Sequence, residues 1–370
     1  MDILQHLSVL TLGYVSAIVP SMTVSALYPR VAPIGPVAVD GSACARLAAL
    51  LRSQWIPADE EEVPPVKLSH LEAGNFYFLL VAICHQTSPR GRPPLEGIVG
   101  GRHLRGWDYL SAKLASAVRD DPRLLSSGTW SRFTAEDLVD LFRDSKLGRR
   151  LTDSAGRARL IRNLGIVMQD HGWTFFEDLY RACDGRIGSG YPNLLELLAK
   201  FDAYKDPVQK KSFLLLAIMR NTGLWSYRDN ANLGPPVDYH EIRGHLRIGT
   251  VKVNDPQLRQ KLLTNTPVSA SDDLAIRRAV RDAIVLIAYQ LGERANPSVL
   301  HYLFWNVFRS CCTQESPHCA QCTRDCPLPD RYVSLAIRED GSRRCPFADV
   351  CESANSTVRL QEHVFDTDYY

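Results

Sequence analysis

Seven of the ten cysteines lie between Cys311 and Cys351: Cys311, Cys312, Cys319, Cys322, Cys326, Cys345 and Cys351. Thiolates grouped this densely hold a soft metal centre, because several sulfurs must converge on one point. The spacing Cys312-x6-Cys319-x2-Cys322 is short and regular, and Cys345-x5-Cys351 follows it. A second candidate is Asp238, preceded by Pro235-Pro236-Val237 and followed by Tyr239-His240. Taken alone, its carboxylate could cap the next helix on free N–H groups. A third is the pair Lys210-Lys211 in Lys205-Asp206-Pro207-Val208-Gln209-Lys210-Lys211-Ser212. Two lysines side by side are ordinary exposed helix residues, unless one is desolvated enough to act as a nucleophile.

The elements that must position these residues read as helices, and the class is all-α. Helical patterning dominates from Leu68 onward. Thr134 with Asp137 forms a capping-box signature ahead of Leu138, Leu141 and Phe142. Residues 208–220 suit a mostly buried helix. Ser271 is placed to cap a helix whose apolar residues recur from Ala275 to Ile287. Asn296-Pro297 starts a last helix, with Pro in its first turn, running to about Ser310. No internal repeat and little strand alternation are visible. The division expected is an N-terminal helical extension (1–66, with a Pro-rich connection at 29–36 and an exposed linker at 59–65), a helical core (67–310), a cysteine-rich loop (311–352) and a tail (353–370).

Bulk properties narrow the classes. The 370 residues allow two domains or one lobed domain, and 45% hydrophobic with 23% charged residues fits a soluble globular protein. A net charge of +2 does not announce a polyanion binder. Local charge is more suggestive: Arg143, Lys146, Arg149, Arg150, Arg157, Arg159 and Arg162 form one stretch, and Arg90, Arg92, Arg102 and Arg105 another. Each could track phosphates or be a solvated face. The N-terminus lacks a basic n-region, and Ser8, Thr11, Gly13 and Ser16 break its apolar stretch, which suits neither a signal peptide nor a membrane span. The expectation is a cytoplasmic monomer without membrane association, whose reduced cysteines ligate metal rather than pair.

Phe308-Arg309-Ser310-Cys311-Cys312 feeds directly into the x6, x2 spacing. This region resembles the iron–sulfur cluster loop, C-x6-C-x2-C-x5-C, of endonuclease III-like and adenine-specific helix-hairpin-helix DNA glycosylases. The resemblance implies a 4Fe-4S cluster; zinc on Cys319, Cys322, Cys345 and Cys351 is the alternative. An insertion between Cys322 and Cys345 leaves five candidates, Cys312, Cys319, Cys322, Cys345 and Cys351, for four places. The third ligand is Cys322 or Cys345, and Cys311 and Cys326 are spares.

Val237-Asp238-Tyr239-His240, with Arg243, Arg247 and Gly249 in register, resembles that family's V-D-T-H-V-x-R-V-x-x-R-L-G segment, in which the Asp is the catalytic carboxylate. The resemblance implies Asp238 as that carboxylate, His240 and Arg243 at the substrate, and Lys210 or Lys211 as the lysine of a bifunctional enzyme with lyase activity. The family's Gly-rich hairpin is absent. Asp206-Pro207-Val208-Gln209-Lys210 is instead similar to archaeal 8-oxoguanine glycosylases and queuosine salvage N-glycosylases. Leu79–Ser88 resembles the early segment L-L-x-x-I-L-x-Q-Q-T, which implies Gln86 at the DNA face. Arg105-Gly106-Trp107-Asp108-Tyr109-Leu110 resembles the queuosine salvage family and adds Arg105 and Trp107. Among the aromatic residues Trp107, Tyr109, Trp173, Trp225 and Tyr227, Trp225 is the first choice for a base pocket.

The function implied is a DNA glycosylase that excises a modified or damaged base, with a two-lobed helical fold and double-stranded DNA as partner. A bulky hypermodified base would fit a repair or anti-phage role. The competing expectations are a nucleoside or nucleotide N-glycosylase acting on a small molecule, and a DNA-binding module without activity.

Overall fold

The computed structural model describes residues 35–370 except 55, 58–63, 89, 91, 144–152, 320–321 and 323–325. The readings made of residues 1–34, of most of the 59–65 linker, and of Lys146, Arg149 and Arg150 lie outside the described residues. The chain is mostly helical, 53% helix and 6% strand, as the patterning predicts. Eight described helices have ten or more residues: α1 (Gly41–Arg52), α2 (His70–Ala82), α3 (Gly106–Asp120), α4 (Ser154–Asp170), α5 (Lys210–Asn221), α6 (Tyr239–Ile248), α7 (Ala270–Leu291) and α8 (Pro297–Ser310). Two antiparallel pairs complete the regular structure: β1 (Val37–Val39) with β4 (Val251–Val253), and β2 (Glu96–Val99) with β3 (Arg102–Arg105).

Local chemistry sets several boundaries. Thr134 and Asp137 form the expected capping box, and Asn296 caps α8 with Pro297 in its first turn. The start of α7 corrects the sequence reading: Ser269, not Ser271, is the cap. Ser269 has the extended backbone a cap requires, and Asp272 three residues on reciprocates as its partner. The helix expected over 208–220 begins at Lys210, because Gln209 is left-handed at φ 62°. Gly244 is required where α6 crosses α8: a Cβ there would lie 2.2 Å from the Phe308 ring.

Ile34–Tyr370 forms one compact unit. β1 and α1, assigned from sequence to an extension, belong to it: β1 pairs with β4, and α1 packs on α7. A large aromatic core joins α2–α5, with Phe78 stacked between Phe176 and Tyr204 at 4.4 and 5.3 Å. A second layer packs α6 against α7 and α8. The 353–370 segment is not loose, since Glu362, His363 and Tyr370 are buried. The insertion after Cys322 contains a short helix, Asp330–Ala336.

Candidate functional site

The start of α6 faces a cavity of about 890 Å³. Asp238 sits at its wall, with Lys210 from the first turn of α5 and His240 beside it. Trp107 and Arg105, at the start of α3, close another side, and a stripe of α8 closes a third. That stripe is His301, Tyr302, Trp305, Asn306 and Arg309, spaced one helical turn apart. Sequence reasoning missed it, although the i, i+4, i+8 recurrence of His301, Trp305 and Arg309 was readable.

Asp238 caps α6 and also lines the cavity. Its Oδ1 accepts from the His240 and Glu241 N–H groups at 2.8 and 3.2 Å, and Glu241 Oε2 returns a bond to the Asp238 N–H. Among the described residues Oδ2 takes no hydrogen bond. The residue is only 8% exposed and lines the cavity. Burial, then the neighbouring Glu241, push its pKa up, and Lys210 pulls the other way. Glu241 is fully buried, which raises its own carboxyl well above the ordinary range, and its Oε1 meets His301 Nδ1 at 2.9 Å.

His240 has a definable tautomer. Burial, then the Arg243 charge, hold it well below its ordinary pKa, so the ring is neutral. Arg243 Nη2 lies 2.8 Å from Nδ1, and an arginine can only donate. Nδ1 therefore accepts, and Nε2 carries the proton on a ring that lines the cavity. Arg243 is 2% exposed and committed elsewhere too: Nε donates to the Cys312 carbonyl at 2.6 Å, and Nη1 forms an ion pair with buried Glu362 at 2.8 Å. It touches the cavity, but its guanidinium is a brace between α6, the cysteine loop and the tail. Arg247 reaches the Cys312 sulfur at 3.3 Å and the Thr313 carbonyl at 2.7 Å.

Three expected residues lie elsewhere. Lys211 points away from Lys210: its Nζ donates to the Ala82 carbonyl at 2.5 Å and lies 3.3 Å from His85 Nδ1. Burial lowers its pKa to about 7. Trp225 is a core residue, stacked on Phe176 and Tyr180 with its N–H on Glu177 at 2.6 Å. Gln86 serves the tail, donating its side-chain N–H to the Phe365 carbonyl and its backbone N–H to that of Tyr370. Of the basic stretches, Arg157 is buried on the Ile83 and His85 carbonyls, Arg162 holds the Phe133 carbonyl, and Arg90 holds those of Leu262 and Glu362. Arg92, Arg105 and Arg309 remain at the cavity with partly exposed side chains. Arg309 stacks on Trp305 at 4.7 Å.

Cys311 stands among the other cysteines of the loop, reached by Cys322, Cys326, Cys312 and Cys319. Burial raises the thiols of Cys345 and Cys351, the latter to about 12; Cys311 is the leading charge on Cys345, and the charges of Cys312 and Cys319 reach both. Cys319 is raised by burial and then by Cys312. Cys322 is raised by burial and then by Cys326, and both of these reach Cys311. The Cys351 thiol donates to the Arg247 carbonyl at 3.3 Å, which fixes Cys351 to the end of α6. Among the described residues no three cysteine sulfurs approach within 4.8 Å of one another. A single zinc draws thiolates to about 3.8 Å apart, from its bond length of about 2.3 Å.

The chain matches no model of a known protein family, and no curated protein matches it. Among the described residues no helix is long and apolar enough to cross a membrane.

Proposed function

We propose that the chain is an N-glycosylase of the helix-hairpin-helix kind that acts on a modified base flipped out of DNA. The observation that carries this reading is the meeting of Asp238, Lys210 and His240 at one aromatic-walled cavity. Breaking an N-glycosidic bond builds positive charge on the sugar and negative charge on the departing base. Asp238 Oδ2 faces the sugar and either stabilises its charge or takes a proton from water, whose oxygen bonds to C1′ as the C1′–N bond breaks. The electron pair leaves with the base, and His240 Nε2–H is a donor for it. Lys210 is the nucleophile in the bifunctional variant, its nitrogen bonding to C1′ in place of water. Trp107, Tyr239 and Trp305 supply π surface for an unstacked base, and Arg92, Arg105 and Arg309 supply charge for flanking phosphates.

The donor set also supports a 4Fe-4S cluster on Cys312, Cys319, Cys345 and Cys351. Cys312 and Cys319 act electrostatically on both Cys345 and Cys351, and Cys312 acts on Cys319. Their role would be to fix the loop onto α6 through Arg243 and Arg247. A second reading, hydrolysis of a free nucleotide, is favoured by one observation. Of the described arginines of the 143–162 stretch, Arg157 and Arg162 are held on backbone carbonyls, and Arg143 and Arg159 are paired with acidic residues.

The deciding experiment is mass spectrometry of bases released from several modified DNAs, with a 7-deazaguanine nucleotide in parallel. Release from DNA that Asp238→Asn abolishes supports the first reading. Release from the nucleotide alone moves the assignment to the second, and no release from either refutes both.

A further inference from the structure

Away from the cavity, three chemically matched side chains from distant parts of the chain converge. They are His85 in the turn after α2, Asp153 at the start of α4, and Asp368 near the C-terminus. The His85 ring is 2% exposed, and its Nε2 is buried without a hydrogen bond. Asp153 Oδ2 lies 3.6 Å from it and Asp368 Oδ1 3.8 Å, too far for N–H···O bonds. All three atoms fall within 4.8 Å of one another.

The other atoms of these side chains are each occupied. Asp153 Oδ1 caps the Gly156 N–H at 3.1 Å. Asp368 Oδ2 is paired with Arg159, which also holds Asp202. His85 Nδ1 lies 3.3 Å from Lys211 Nζ, and the His85 carbonyl is held by Arg157. The three groups are thus oriented from behind and leave one nitrogen and two oxygens directed at a common point. Outer partners hold metal-binding carboxylates in this way; on His85 a metal at Nε2 leaves the ring proton on Nδ1, so Lys211 Nζ must then face the ring as an acceptor, having released a proton. A simple ion pair is the poorer account, because separations of 3.6 and 3.8 Å leave the buried His85 Nε2 without a hydrogen bond to either carboxylate.

We propose that His85, Asp153 and Asp368 bind one zinc ion, independently of the cysteine loop and of the glycosylase reading. Zinc bonds of about 2.0–2.2 Å to nitrogen and oxygen place such ligands about 3.3 Å apart; His85 Nε2 stands 3.6 and 3.8 Å from the two oxygens. An imidazole nitrogen among the ligands disfavours calcium, which takes oxygen ligands, and suits zinc. Asp153 and Asp368 have side chains 52% and 32% exposed, so the site opens to solvent and water can complete the coordination. The ion would staple the C-terminal segment to α4 and to the turn carrying Gln86.

The test uses full-length protein, incubated with zinc chloride and desalted, with zinc and iron counted per chain. The wild type is expected to retain one more zinc than the Asp153→Asn/Asp368→Asn variant, with equal iron in both. X-ray absorption of that extra zinc should show nitrogen and oxygen neighbours only. Both substitutions are isosteric and at the surface, and circular dichroism checks that the variant folds. Equal zinc in the two proteins, or sulfur around the extra ion, overturns the proposal. Loss of base release does not bear on it.

Discussion

Replacing Glu362 by alanine isolates the brace that joins α6 to the cysteine loop. Glu362 and Arg243 have side chains 1% and 2% exposed and stand 2.8 Å apart. Two unit charges about 4 Å apart in a medium of effective dielectric about 20 attract by about 4 kcal/mol. Truncating one partner leaves the other charge buried, which costs about 3–5 kcal/mol. The Glu362→Ala variant should therefore lose about 3–5 kcal/mol in urea unfolding at pH 7. The double variant with Arg243→Ala should lose clearly less than the sum of the singles. The pH dependence follows from the same pair. Burial alone would raise the Glu362 carboxyl, but Arg243 and Gln314 outweigh it and hold the folded value below the ordinary one. The contribution is thus complete above the unfolded value of about 4.3 and lost as pH falls through the lower folded value. Wild type and variant should converge in stability at the acid end. A loss below about 1 kcal/mol at pH 7, or additive singles, would refute the claim that a buried charge pair holds this junction.

Asp238→Asn should keep the fold, since asparagine caps as well as aspartate, while slowing base release at least about 100-fold, the scale of losing one preorganised charge. Because burial raises Asp238, wild-type activity should rise with pH through a point above the ordinary aspartate range; an acid limb at the ordinary value counts against the assignment. Lys211→Met probes the buried amine. Its folded value of about 7 lies below the unfolded value of about 10.4, so wild-type stability relative to the variant should rise across that window, by at most about 1.4 kcal/mol per pH unit. A flat difference would show that Lys211 keeps its charge. Cys345→Ser should lose iron on purification and Cys322→Ser should retain it; the reverse result would assign Cys322 as the third ligand. Gly244→Ala should cost about 1–3 kcal/mol through overpacking on Phe308 despite its better helix propensity, read as a lower midpoint in thermal unfolding.

Much of the helical frame was legible because its signals are local. Thr134 and Asp137, or Asn296 and Pro297, mark a helix start whatever surrounds them. Asp238 was legible both as a cap and as a cavity residue, since both need a carboxylate before a helix. Lys210 and Lys211 were not separable. Neighbours on a helix point about 100° apart, and which one meets the cavity depends on how α5 lies against α2. Trp225 was misread because an indole with one polar atom serves a pocket or a core equally, and only the placement of Glu177 decides. The choice between Cys322 and Cys345 turns on how the chain returns after the Asp330–Ala336 helix, which no spacing encodes, and the two serine variants decide it.

The capping bonds of Asp238 carry a consequence for timing. A free aspartate side chain turns about two bonds and must be frozen whenever a reaction needs it. Here that freezing happens when the first turn of α6 forms, because the oxygen that closes the turn fixes the direction of its twin. If Asp238 acts as proposed, its reactive oxygen is aimed once, during folding, and each turnover inherits the aim. A substitution that frays the start of α6 would therefore blunt the reaction without touching any atom that meets the substrate.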